Sequence, residues 1–315
     1  MTQQAKAKYD LDYMRQTCQK LSNWGKWGPD DEIGTMNFIT PQKIIAAARL
    51  VRKGKVFSLA VPLDSNGPQR PGGQRFNPIH WMLRDGGDVA IGISSGTDDA
   101  VALPLQCATQ WDSLAHVFFE GKMWNDRGPE LVTSFGAQKN SVSNLKDKIV
   151  SRGVLLDIAR YKGKPWLEPG EAIYAEDLDG CAAKQGVQIG TGDIPLIRTG
   201  QMAEVKARGN WGEYAGGSAP GLSITTAQWI HDKEIAAYAT DTWGTEVIPN
   251  ETDVVFQPLH RIVIPYVGIL MGEIFDLEEL AEDCAQDGVY EFMFVAPPLT
   301  ITGAVGSPPN PQAIK

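Results

Sequence analysis

The sequence predicts an α/β fold, on three observations. Its 315 residues are 43% hydrophobic, enough apolar mass for a large core. The C-terminal third alternates helix-period with strand-period segments, the pattern of packed sheet and helix layers. No repeat, charge block or linker separates two periodic halves. One domain is therefore expected over residues 41–315, behind an N-terminal helix and arm over residues 1–40. A chain this long buries roughly 75% of its unfolded surface and needs no staples.

The elements follow in order. Tyr9–Leu21 reads as a helix. The arm after it, SNWGKWGPDDEIGTMNFITP, sets two Trp among Gly and Pro, a composition that packs without forming regular structure. Thr40 as N-cap and Pro41 at the first helical position open a second helix through Val51. Short apolar runs predict strands over Val56–Val61, Val154–Ile158, Ile194–Arg198, Ile235–Ala239, Ile262–Val267 and Tyr290–Val295. Helices fit Glu176–Gln185, Thr225–Lys233 and Leu277–Gln286. Residues 62–100, rich in Gly, Pro, Asn and Asp, read as a non-core loop of the length that is usually functional or oligomeric.

Charge and scarce residues exclude several classes. With 29 basic and 38 acidic side chains the net charge is −9, which argues against nucleic acid as a partner. The four Cys show no CxxC and no small-domain framework, so neither a Cys-rich zinc module nor a disulfide scaffold is supported. The N-terminal residues lack the apolar core of a signal peptide, and no window approaches the ~20 apolar residues of a membrane span. A cytoplasmic protein acting on a small molecule, away from membranes, is the expectation.

The densest polar constellation is Gln106-Cys-Ala-Thr-Gln110-Trp-Asp112-Ser-Leu-Ala-His116. As a strand over Leu103–Asp112, it sets Gln106, Gln110 and Asp112 on one face. A helical turn after Asp112 then brings His116 back over the carboxylate at i, i+4. Such a set suits a divalent ion or a polar substrate, although Gln and Asp on an exposed strand face are also ordinary. Farther on, Glu273 interrupts an apolar stretch that begins after His260. A buried carboxylate without a partner costs several kcal/mol, so Glu273 either has a metal or hydrogen-bonded partner or caps a helix starting near Asp276. GxSxG, GxGxxG and the full P-loop are absent. His80 either lines the site or stabilises its loop, and His231 reads as surface. Phe118, Phe119 and Trp124 are candidates for an apolar wall around a ring-shaped substrate, while Trp111 reads as core. Trp24 and Trp27 either anchor the arm or reach a neighbouring subunit.

These segments resemble the cyclase family of metal-dependent hydrolases, whose best-known member type is bacterial kynurenine formamidase. The family motif HxGTHxDxxxH reads QCATQWDSLAH here, keeping Thr109, Asp112 and His116, and the later His and Glu match His260 and Glu273. RGVLLDI, PGLS and YATDTWGTE extend the resemblance from about Asn23 to the C-terminus. It implies a swivelling β/β/α-type mixed sheet with flanking helices, in a homo-oligomer (dimer or tetramer) whose arms cross between subunits. It also implies His116 as general acid/base and Asp112, His260 and Glu273 as main metal ligands. Gln106 and Gln110 replace two family histidines, as in TQWD-type members resembling trans-dienelactone hydrolase, and become weaker ligands or substrate-orienting amides. Neutral amide oxygens favour a harder ion, and two carboxylates neutralise one dication, so one divalent metal, Mn or Zn, is expected. The implied function is hydrolysis of a small cyclic ester or amide, lactone-type, or of an aryl N-acyl compound. A metal-poor relative that only binds a small molecule, and a metal-dependent lyase or isomerase acting through an enolate, stay open as alternatives.

Overall fold

The computed structural model describes residues 9–88 and 96–315. Among them, nine strands form one mixed sheet: β1 (Val56–Ser58), β2 (Gln110–Asp112), β3 (Val150–Asp157), β4 (Ile194–Arg198), β5 (Ala237–Thr240), β6 (Leu270–Glu273), β7 (Glu291–Val295), β8 (Gly306–Ser307) and β9 (Gln312–Ile314). Their order is β1-β9-β7-β3-β4-β5-β6-β2-β8. The central β3, β4, β5 and β6 are parallel neighbours, and both flanks are antiparallel. The helices are α1 (Leu11–Leu21), α2 (Pro41–Ala48), α3 (Ile158–Tyr161), α4 (Ala175–Gln185), α5 (Gln201–Arg208), α6 (Thr226–Asp232), α7 (Pro258–Ile262) and α8 (Glu278–Asp287). This is the α/β mixed sheet with flanking helices that the sequence predicts.

The parallel strands are apolar on both faces because both faces are covered. Leu155, Leu196, Ala237, Ala239 and Leu270 pack with Trp111, Phe292 and Phe294 beneath Leu280, Ala281 and Cys284 of α8. On the other face Val154, Leu156, Ile197, Tyr238 and Met271 meet α4, α6, α7 and α1. Each fully buried Leu or Phe in these layers contributes about 1.5–3 kcal/mol. The arm packs on its own chain: the Trp24 ring stacks on Tyr266 at 4.6 Å and its Nε1 donates to the Pro265 carbonyl at 2.7 Å. Trp24 and Trp27 are therefore packing anchors. The four Cys are buried and free, and no helix among the described residues is long and apolar enough to cross a membrane.

Three expectations need correction. The run Ile262–Val267 is helical: α7 continues as a π-helical turn over Val263–Val267 and stops at Gly268, whose φ is +78°. A short apolar run has no periodicity to tell a buried strand from a buried helix, and Pro258 at the helix start was the available cue. Pro265 has no N–H for the α-helical ladder, a known cause of such irregular turns. Second, the strand expected over Leu103–Asp112 is only β2, because the chain turns at Pro104–Cys107. Third, residues 62–100 contain the start of a hairpin, Ile79–Arg84 paired antiparallel with Asp98–Ala102. Helices α3 and α5 and strands β6, β8 and β9 have no counterpart among the predicted elements.

Close approach of β6 to its neighbours needs Gly272. A Cβ there would sit 2.6 Å from the Ala239 Cβ and 2.7 Å from the Trp111 ring. Gly272→Ala should cost about 1–3 kcal/mol in denaturant unfolding through overpacking. Gly190→Ala, which meets open space, should be nearly neutral, and equal effects would contradict this packing.

Candidate active site

The site is assembled by the register between β6 and β2. Antiparallel pairing sets Glu273 opposite Gln110 and Met271 opposite Asp112 at the end of the sheet. Helix α7 brings His260 to the same point, where its Nε2 lies 3.0 Å from Glu273 Oε1. Ligand atoms of Asp112, His260 and Glu273 all lie within 4.8 Å of one another. Gln110 spans the two carboxylates: its Nε2 donates to Glu273 Oε2 at 2.7 Å and to Asp112 Oδ1 at 3.4 Å. Its Oε1 is buried without a partner. Thr109 Oγ1 accepts from Val61 N and donates to the Ile274 carbonyl at 2.6 Å, tying β2 to the chain after Glu273. Ile274 itself has φ +59°, a left-handed conformation that costs a β-branched residue about 1–3 kcal/mol. The strain sits directly beside Glu273.

Glu246 is the member that the sequence reading missed. Its Oε1 meets His260 Nδ1 at 2.5 Å, and its two oxygens accept the backbone N–H groups of Leu259 and His260. One carboxylate thus caps α7 and fixes the imidazole so that Nε2 faces the cluster, the usual outer partner of a metal-binding histidine. The one available signal was an acidic residue closing YATDTWGTE.

Electrostatics concentrate buried charge at this point. Asp112, Glu246, Glu273 and His260 are all at most 3% exposed. Burial pushes the Glu273 carboxyl up from 4.5, and the Asp112 charge pushes it further. Burial opposes the charged form of His260, but the hydrogen bonds and charges of Glu246 and Glu273 prevail and raise it to about 10. His116 behaves differently. Its Nε2 is 3.6 Å from Asp112 Oδ2, and burial lowers its pKa below the ordinary 6.5. Asp112 opposes that shift, while Arg75, His260 and Arg261 reinforce it. A neutral imidazole therefore stands beside a buried acidic cluster. Two carboxylates, an imidazole nitrogen and an orphaned amide oxygen form a donor set that fits one divalent cation.

A cavity of ≈ 440 Å³ opens on His116. Arg70, Arg75, Arg261, Trp243 and Phe256 are among its walls. The expected apolar wall lies elsewhere. Trp124 is fully buried and donates Nε1 to Asp31 Oδ2, and Phe119 packs edge-on against Tyr266 in the core. Phe118 packs with Met123 and Ala137. His80 is paired with Asp99 at 2.8 Å on the exposed hairpin and does not line the cavity. Gln106 makes no side-chain hydrogen bond through Nε2, which is buried against Gly306. The helix-cap alternative for Glu273 is removed, since α8 begins at Glu278 and Glu273 ends a strand. His231 lies at the surface beside Asp232 and Trp111 in the core.

The cyclase family profile matches residues 39–247. A crystal structure of a novel cyclase is 40% identical, with a TM-score of 0.86 over 95% of this chain and 99% of that one. Isatin hydrolase A from Ralstonia solanacearum is 19% identical, with a TM-score of 0.62 over 87% of this chain and 97% of that one. A potential metal-dependent hydrolase with cyclase activity is 15% identical, with a TM-score of 0.51 over 82% and 98%. These last two likenesses are ones of fold. Comparison with curated proteins gave no match. With the profile spanning residues 39–247 and a 40%-identical relative matched along nearly the whole length, this chain belongs to the cyclase family.

Proposed function

We propose that this protein is a metal-dependent hydrolase that opens a small cyclic ester or amide, lactone-type, or cleaves an aryl N-acyl compound. The observation that carries the reading is the buried Asp112–His260–Glu273 cluster with His116 between it and an open cavity. Two groups of proteins sharing the fold are hydrolases by name, which favours hydrolysis over a purely binding role. One divalent ion, Mn²⁺ or Zn²⁺, would be held by Asp112, His260 and Glu273. It supplies charge that polarises a carbonyl and lowers the pKa of water.

The chain's own residues do the rest. Hydrolysis needs a proton taken from water and returned to the leaving oxygen or nitrogen. His116 is unprotonated at neutral pH and lines the cavity, so its imidazole takes that proton and delivers it. Gln110 holds the two carboxylates in register through its amide nitrogen. Glu246 orients His260.

Two results test this reading. Mn²⁺ or Zn²⁺ at a hundredfold excess over Kd should stabilise chelator-treated protein by about 2.7 kcal/mol, read as a rise in Tm. Glu273→Gln should abolish the rise, and Glu246→Gln should weaken metal affinity about 10–100-fold. No rise with either metal in the unaltered protein would reject the metal site. Separately, His116→Ala should lose turnover while elemental analysis finds its metal content unchanged. Loss of the metal would make His116 a ligand instead.

Buried free cysteines fit a reducing, cytoplasmic compartment. A homo-oligomer is supported by the hairpin Ile79–Arg84/Asp98–Ala102, where Ile79, Trp81, Met82, Leu83 and Val101 are 44–61% exposed. A two-stranded hairpin is marginal in water and gains stability when another copy covers it. Light scattering should give a dimer or tetramer, and Trp81→Lys with Leu83→Lys should shift it toward monomer. A monomeric parent protein would overturn this assembly.

A further inference from the structure

The cavity above His116 carries a charge pattern that hydrolysis by itself does not require. The chain as a whole has a net charge of −9. Three carboxylates stand behind His116, yet the cavity is lined by Arg70, Arg75 and Arg261 and, among the described residues, by no Asp or Glu. Their partners differ. Arg70 Nη2 donates to the Glu213 carbonyl at 2.7 Å. Arg75 Nη1 donates to the Gln106 carbonyl at 3.0 Å, and its guanidinium lies 5.7 Å over the Trp243 ring. Arg261 follows His260 directly and is half-buried, and its guanidinium has no ion pair or hydrogen bond among the described residues.

A half-buried guanidinium loses hydration, and a well-placed anion compensates for that loss. Its planar fork matches a carboxylate through two parallel hydrogen bonds. We infer that Arg261, with Arg75 on the same cavity, forms an anion subsite, and that the substrate carries a carboxylate remote from the bond that is cut. This rests on the hydrolase reading for the bond itself. Trp243 and Phe256 supply apolar wall for the body of such a molecule, and the ≈ 440 Å³ volume accommodates a single-ring acid. The acidic group sits at the arginines and the reacting carbonyl turns toward His116 and the cluster. A neutral analogue of equal shape would leave Arg261 unpaired, so the subsite selects by charge.

Benzoate and its neutral isostere benzamide test the subsite on chelator-treated protein, where metal ligation contributes nothing. Tryptophan fluorescence and calorimetry should show benzoate binding about tenfold tighter or more. Arg261→Gln should bring benzoate down to the benzamide level while benzamide is unaffected, Arg261→Lys should retain part of the preference, and added salt should weaken benzoate alone. Equal binding of the two probes by the parent protein, no benzoate binding, or an unchanged ratio in Arg261→Gln would overturn the proposal. Hydrolysis of phenyl acetate and 4-carboxyphenyl acetate by Mn²⁺-loaded protein separates the two ideas. Turnover without preference for the acid rejects the subsite. Benzoate preference without turnover of either ester keeps the subsite and counts against the hydrolase reading.

Discussion

Burying three carboxylates around one imidazole is the constraint to which the rest of the site answers. Asp112, Glu246 and Glu273 sit out of water within reach of His260. Each buried charge costs several kcal/mol unless it is paired and hydrogen-bonded. Part of that cost is met locally: Glu246 takes three N–H groups, and Gln110 donates to the other two carboxylates. The remainder shows as a Glu273 carboxyl driven toward its protonated form and a His260 driven toward imidazolium. A dication held there would reverse both shifts at once. It favours ionised Glu273 and neutral His260, the forms in which these groups are ligands.

The sheet makes this arrangement rigid. Asp112 and Glu273 come from neighbouring strands locked by the β2–β6 register, and His260 from a helix whose first N–H groups are held by Glu246. A one-residue slip of β6 would turn Glu273 to the opposite face and destroy the cluster. Gly272 allows the close packing of β6, and the strained Ile274 turns the chain immediately afterwards. Strain of this kind persists only where surrounding contacts over-determine it, and Thr109 with the Thr242 carbonyl provides them.

Much of the fold was legible because it is written in local patterns. The parallel strands β3 and β4, the capped helix α2 and the helices α4, α6 and α8 appear where apolar runs and caps predicted them. The failures are equally physical. Ile262–Val267 has apolar residues at every position, so its period is undefined and only tertiary packing makes it helical. Strand β6 is four residues long and ends in a charge, which disguises it. For the site, Asp112, His116, His260 and Glu273 were legible through motif spacing and do converge. Glu246, Arg75 and Arg261 were not, because their roles arise from distant segments folding against one another. The aromatics after His116 illustrate the opposite error: nearness in sequence suggested a wall, while Trp124 and Phe119 are needed to bury the arm and α7.

Opposite signs on the two sides of His116 give that residue its character. Burial disfavours the imidazolium most; behind the ring Asp112 favours it, while Arg75 and Arg261 in front, and His260, add to the effect of burial. The balance leaves a neutral ring with a carboxylate 3.6 Å away, ready to hold a proton briefly without keeping it. A bound cation would screen Asp112 and push the ring further toward neutrality, whereas an anion at Arg261 would offset the positive field from the cavity side.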